Sequence, residues 1–234
     1  MVQAGKEPVF VIDETNLLPY TSDCMERHMY KILLIGPQGS GKGTQAQLLS
    51  EKLGIPTFAM GQLLRDEIAS GSALGKKAAE FMNRGDLVTD EMAIQVLKKR
   101  LGRPDTAYGY ILDGYPRNEG QYREFSFETP THVLVIDIPR EESLKRISGR
   151  LTCSTCGAIY AVKDGSKLGD ECACGGKLTQ RDDETPASVS RRLAIYENET
   201  KPIIETYERK GFVRRVDGMG SVGEIHKRIV DALS

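Results

Sequence analysis

Residues 30–45, YKILLIGPQGSGKGTQ, constrain this chain more than any other stretch. A short apolar run reads as a strand, enters a glycine-rich loop, and leaves it through a segment with helical spacing from Thr44 to Leu53. Gly36, Gly39, Gly41 and Gly43 let the backbone turn its N–H groups toward one anion. The helix N-terminus adds partial positive charge and Lys42 a full one. Such a loop is a cradle for the β and γ phosphates of a nucleotide, with Gly39, Ser40, Gly41, Lys42, Gly43 and Thr44 as its candidate contacts. The usual pattern places Ser or Thr directly after the lysine, whereas here Gly43 intervenes and Thr44 follows.

Further strands are expected at YGYILD (108–113), HVLVID (132–137) and FVRRVD (212–217), separated by helical stretches such as Asp90 to Leu101 and Ala187 to Lys210. This alternation predicts an α/β fold with a doubly wound parallel sheet. At 234 residues the chain can bury one large core. Asp113 ends one of the strands, where a carboxylate near the phosphate loop can orient water around Mg²⁺. Residues 1–28 lack clear periodicity beyond Val9 to Ile12 and read as a flexible extension ahead of Met29.

Lys plus Arg total 32 against 33 for Asp plus Glu, so no positive excess favours a nucleic-acid backbone. No apolar run suits a membrane span, and no secretory leader pattern opens the chain. A cytoplasmic protein is expected, and in a reducing compartment clustered cysteines are more often metal ligands than disulfides. Cys24 stands apart as a bystander, and the other four cysteines fall between positions 153 and 174. Cys153-x-x-Cys156 is a standard zinc half-site. Cys172-Ala173-Cys174 is irregular, with one residue between the thiols, so Glu171 competes with Cys172 for the fourth ligand position. Thiolate softness favours Cys153, Cys156, Cys172 and Cys174. Structural zinc competes with a redox pair and with a site that no longer holds metal. The flanks lack the interleaved aromatic and basic residues of a nucleic-acid knuckle.

Several separated motifs, GPQGSGKGTQ, GQLLR, GDLVTDE, DGYPRNEGQ, GRLTCSTCGAIY, RDDE and SRRL, resemble the adenylate kinase family in its long bacterial-type form with a zinc lid. The resemblance runs from about Met29 to the C-terminus. It implies a phosphate-loop core at 29–58, 89–148 and 185–234, a helical AMP-binding insertion at 59–88, and a small zinc-stabilised β lid at 149–184. It implies reversible phosphoryl transfer between Mg-ATP and AMP giving two ADP, by a monomer serving purine nucleotide homeostasis.

Carried over residue by residue, the ATP side comprises the phosphate loop, Arg146, Arg150, Ile159, Tyr160 and Gly220. The AMP side comprises Met60, Arg65, Asp86, Leu87, Val88, Gly114, Tyr115, Pro116, Arg117 and Gln121. Arg181 and Arg192 reach the transferring group, and Lys42, Asp113, Arg117, Arg146, Arg150, Arg181 and Arg192 form the catalytic set. The chemistry fits these residue types, because bringing two polyanions into line demands charge compensation more than covalent help. Guanidinium groups stay charged and bind phosphate through two parallel hydrogen bonds. Two departures stand out, Met60 for the family's hydroxyl residue and Gln62 for its acidic one, which bear on monophosphate preference.

Overall fold

In the computed structural model, which describes residues 29–181 and 184–233, the apolar run Ile32-Leu33-Leu34-Ile35 is buried on both faces at the centre of a sheet. The expected extension at 1–28, with Cys24, lies outside the described residues, as do Asp182 and Asp183. The elements follow as β1 (Tyr30–Ile35), α1 (Lys42–Leu53), β2 (Thr57–Ala59), α2 (Met60–Ala69), α3 (Ala73–Arg84), α4 (Asp90–Leu101), β3 (Gly109–Asp113) and α5 (Glu119–Glu124). The second half continues with β4 (His132–Asp137), α6 (Arg140–Ser148), β5 (Arg150–Cys153), β6 (Ile159–Ala161), β7 (Leu178–Thr179), α7 (Pro186–Ile195), α8 (Lys201–Arg209), β8 (Val213–Asp217) and α9 (Val222–Asp231).

Side chains alternate across a strand, so β1 sends Leu33 and Ile35 into one core and Ile32 and Leu34 into the other. The first core is closed by α2, α4 and α8 through Leu64, Leu97 and Ile203, the second by α1 and α9 through Leu49 and Ile229. Between them runs a five-stranded sheet in the order β2-β3-β1-β4-β8 with every pair parallel. This is a doubly wound sheet. The chain crosses from one side of β1 to the other between β3 and β4, and at that switch point the carboxyl ends of the strands open a crevice. The phosphate loop leaves β1 there.

Helix ends are written into the sequence. Thr89 accepts the Met92 N–H at the start of α4, whose first turn carries Asp90 and Glu91 and whose last carries Lys98, Lys99 and Arg100. Ser221 and Glu224 form a capping box on α9, fixing the turn that holds Gly220. The stretch expected as one helix from Ala187 to Lys210 is instead α7 and α8 joined by a π-helical turn at Tyr196–Thr200. Pro202 has no N–H to give the carbonyl four residues back, so a continuous α-helix would lose a bond there. No described helix is long and apolar enough to cross a membrane.

Candidate functional site

Gly41 caps α1 in the left-handed region, φ 91°, with no side chain reaching the helix. The leading N–H groups of α1 therefore remain for an anion. Lys42 Nζ donates to the carbonyls of Gly36 and Pro37, both at 2.9 Å, and lies 3.4 Å from Ser40 Oγ. Burial pulls the ammonium down to about 8, with Asp113 pulling it back up and Arg117 and Arg150 pushing further down. Asp113 is raised by its own burial against the opposing pull of Lys42, Arg117 and Arg150. A β-carbon placed on Gly43 would stand 3.9 Å from Asp113 Oδ2, so the carboxylate looks onto the start of α1. An anionic oxygen facing the phosphate cradle suits a hydrated Mg²⁺ arriving with its nucleotide.

The structure thus brings Lys42, Asp113, Arg117 and Arg150 within electrostatic reach of one another. Arg117 is held at several points. Its Nε donates to Gly114 O at 2.7 Å, its backbone N–H to Gln121 Oε1 at 2.9 Å, and its carbonyl accepts from Thr200 Oγ1 at 2.7 Å. Gln121 is itself fixed by the Asn118 cap of α5. Arg150 forks onto Glu184, and Arg181 reaches the same carboxylate at 3.4 Å. The Glu184 side chain is only 1% exposed, so one buried anion links the first strand of the small sheet to its far end. The RDDE motif alone gives no sign of this clasp, because its partner Arg150 lies far back in the chain.

Arg146 is bound to Glu142 at 2.7 Å and to Gly218 O at 3.0 Å, beside the Met219-Gly220 turn. Arg65 donates twice to Gln62 Oε1, at 2.8 and 3.1 Å, while Gln62 Nε2 donates to Asp66. Gln62 thus orients Arg65 without neutralising it. The side chains of Met60, Val88 and Tyr115 are buried in the main core, and Tyr115 OH donates to Gln121 O at 3.3 Å. Met60 is 4% exposed, packed among apolar neighbours. Asp86 binds Arg84 at 3.0 Å and also pairs with Arg191 of α7. Arg192, half-buried, is the next residue on that helix. Ile159 and Tyr160 lie in β6, and Ile159 is half exposed.

β5, β6 and β7 form a separate antiparallel sheet in the order β6-β5-β7. Its core is Leu151, Cys153, Cys172 and Leu178. The sulfurs of Cys153, Cys156, Cys172 and Cys174 all lie within 4.8 Å of one another. Cys153–Cys174 and Cys156–Cys172 are separated by 3.5 and 3.6 Å, and all four cysteines are free. A disulfide would need about 2.05 Å, whereas thiolates at about 2.3 Å around a tetrahedral zinc stand roughly 3.8 Å apart. The cluster is compatible with structural zinc. A β-carbon on Gly176 would meet Cys153 Sγ at 2.6 Å, so the knuckle closes only with glycine there.

Glu171, the alternative ligand, is turned to Lys177 at 3.1 Å and does not join the sulfurs. The Cys174 backbone N–H, with the Tyr160 hydroxyl, draws the Cys172 thiol down to about 6. The Ala158 N–H pulls Cys156 down too, but the neighbouring Cys174, Cys153 and Cys172 side chains outweigh it and hold it up at about 12.

A cradle at the switch point asks for a chain of phosphates, and guanidinium groups drawn from both flanks ask for a second anion facing the first. Fold and site together define a phosphate-loop phosphotransferase with a cysteine-knuckle lid. The model of the family described as adenylate kinase matches residues 34–212. An adenylate kinase of Syntrophobacter fumaroxidans is 43% identical over 210 residues, covering 86% of this chain and 99% of that protein. Those of Thermodesulfovibrio yellowstonii and Archaeoglobus fulgidus are each 41% identical over 207 residues, covering 85% of this chain and 96% and 95% of theirs. The chain belongs to the adenylate kinase family.

Proposed function

We propose that the chain transfers the γ-phosphoryl group of Mg-ATP to AMP, reversibly giving two ADP. The observation that carries this reading is the convergence of Lys42, Asp113, Arg117 and Arg150 on the phosphate loop. An oxygen of the AMP phosphate attacks the γ-phosphorus, the new P–O bond forms as the bond to the β-phosphate oxygen breaks, and the leaving group departs as ADP. No proton needs to move at the attacking oxygen, so a general base is superfluous. The residues supply position and charge.

In this reading Gly39 to Thr44 bind the β and γ phosphates, and Lys42 exchanges its two backbone carbonyls for phosphate oxygens. Arg65 and Arg117 hold the AMP phosphate, with the backbone of Asp86, Leu87 and Val88 beside the base. Arg146 and Arg150 meet the ATP phosphates, Arg181 and Arg192 reach the group in transit, and Gly220 with β6 borders the rest of the ATP. Asp113 orients water on the Mg²⁺ that enters with ATP. The four cysteines hold zinc, whose part is to order residues 149–184. Residues 59–88 and 149–184 close over the two nucleotides and exclude water. A cytoplasmic monomer is part of the proposal; the reducing location is supported by four clustered cysteines that form no disulfide.

Coupled measurement of ADP production from Mg-ATP and AMP tests it, with zinc analysis on the same sample and AMP compared against GMP, CMP and UMP. Lys42→Ala should lose about 10²–10³-fold in turnover with an unchanged melting temperature. Absent ADP production in the wild type, or a near-normal rate in the variant, refutes the assignment. A preference for another monophosphate would transfer the reading to a sister activity, for which Met60 and Gln62 are the sequence grounds.

A further inference from the structure

Two of the four knuckle sulfurs are exposed and two are buried, and the buried pair poses a problem that water cannot solve. Cys156 and Cys174 can take hydrogen bonds from solvent. Cys153 and Cys172 are 2% and 6% exposed, inside the core of the small sheet. Four thiolates on one divalent ion leave two net negative charges spread over sulfur. A buried sulfur carrying part of that charge needs a donor from the protein. The backbone serves both, with the Thr155 N–H approaching Cys153 Sγ at 3.4 Å and the Cys174 N–H turned to Cys172, and Cys172 Sγ has in addition one side-chain donor, the Tyr160 hydroxyl at 3.2 Å.

The direction of the second bond follows from chemistry. A metal-bound thiolate has no proton to give, and a phenol keeps its own at neutral pH, so Tyr160 donates. Its ring packs against the cluster of Leu151, Cys153, Cys172 and Leu178, and its backbone pairs with Leu151 across the sheet. Tyr160 therefore touches the metal knuckle through its hydroxyl while belonging to the strand placed above against ATP.

We propose that Tyr160 is a positioning residue for the zinc site, donating its hydroxyl to the Cys172 thiolate and thereby locking β6 to the metal knuckle. The inference rests on the zinc reading and deepens it. Metal occupancy and the placement of the nucleotide-facing strand are then one event, reported through a single hydrogen bond twelve residues apart in sequence.

The test is Tyr160→Phe in the full chain, which keeps the ring and removes only the hydroxyl, with far-UV circular dichroism confirming the fold. Zinc affinity is measured by competition with a chromophoric chelator, and the cobalt(II)-substituted protein gives the sulfur-to-metal charge-transfer band. Loss of the donor should weaken zinc binding about 10- to 100-fold. It should also move the band to lower energy, because a thiolate without its hydrogen bond gives up an electron more easily. A purely packing role for the ring would leave the band where it is. Unchanged affinity and an unchanged band in a variant whose wild type binds one zinc overturn the hydrogen-bond role alone. A wild type that takes up neither metal overturns the zinc reading and this inference with it.

Discussion

Gly85→Ala, set beside Gly71→Ala, isolates how the 59–88 region is seated on the rest of the molecule. Both glycines occupy the left-handed region, φ 78° and 70°, so the backbone penalty for alanine is shared. That penalty is about 1–2 kcal/mol, partly offset by a less disordered unfolded chain, leaving roughly 1 kcal/mol. Around Gly71 no atom of the described residues stands within 4 Å of the added carbon. At Gly85 the carbon would meet the Cα and Cβ of Ser188 at 2.8 Å and its carbonyl oxygen at 2.9 Å. Those atoms belong largely to the backbone of α7, which cannot rotate aside as a side chain would. Overpacking of this kind adds about 1–3 kcal/mol. Gly71→Ala should therefore lower the melting temperature by about 2–4 °C and Gly85→Ala by roughly 4–16 °C. The clash also pushes the Asp86-Leu87-Val88 backbone away from α7, so KM for AMP should rise in Gly85→Ala alone. Thermal melts and steady-state kinetics on both variants decide it. Equal losses of stability, or an AMP KM unmoved at Gly85, would refute the claim that this strap bears on α7.

Three other perturbations probe the site. Glu184→Gln keeps the size of the buried clasp but removes its charge, so Arg150 and Arg181 lose their shared anchor; kcat should fall at least tenfold, against which an unchanged kcat would tell. Lys42 sits near 8 in the free protein, below its ordinary value, and a phosphate beside it raises that value. ATP binding at pH 8 should then take up about half a proton, and calorimetry in buffers of different ionisation enthalpy would show no buffer dependence if the lysine were already fully charged. Chelation of zinc should lower the melting temperature and make residues 149–184 more sensitive to protease; an identical melt after verified metal removal contradicts a structural role.

Much of this was legible because it is local. The phosphate loop needs residues adjacent in sequence, and the strands at 132–137 and the helix at 90–101 end where the sequence expectation places them. A cysteine cluster spanning positions 153–174 is nearly local too, yet the choice between Glu171 and Cys172 was decided by which side chain folds inward. Spacing alone does not carry that information, since the tight turn closed by the Cys172 N–H to Gly176 O bond sends Cys172 into the small core and leaves Glu171 beside Lys177. What escaped the sequence is what depends on distance along the chain. Nothing in RDDE says that Glu184 returns to Arg150, thirty-four residues earlier, and nothing in a helical pattern says that Thr200 will hold the carbonyl of Arg117. Pro202 lies inside the stretch read as one helix from Ala187 to Lys210, and its effect is a widened turn rather than an end. That turn is what lets Thr200 reach the Arg117 carbonyl while α7 keeps Arg191 beside Asp86. The residues proposed to touch substrate are written in short motifs, and the residues that aim them are written in the fold. Substitutions in the second group should therefore alter KM and kcat without altering any motif by which the family is recognised.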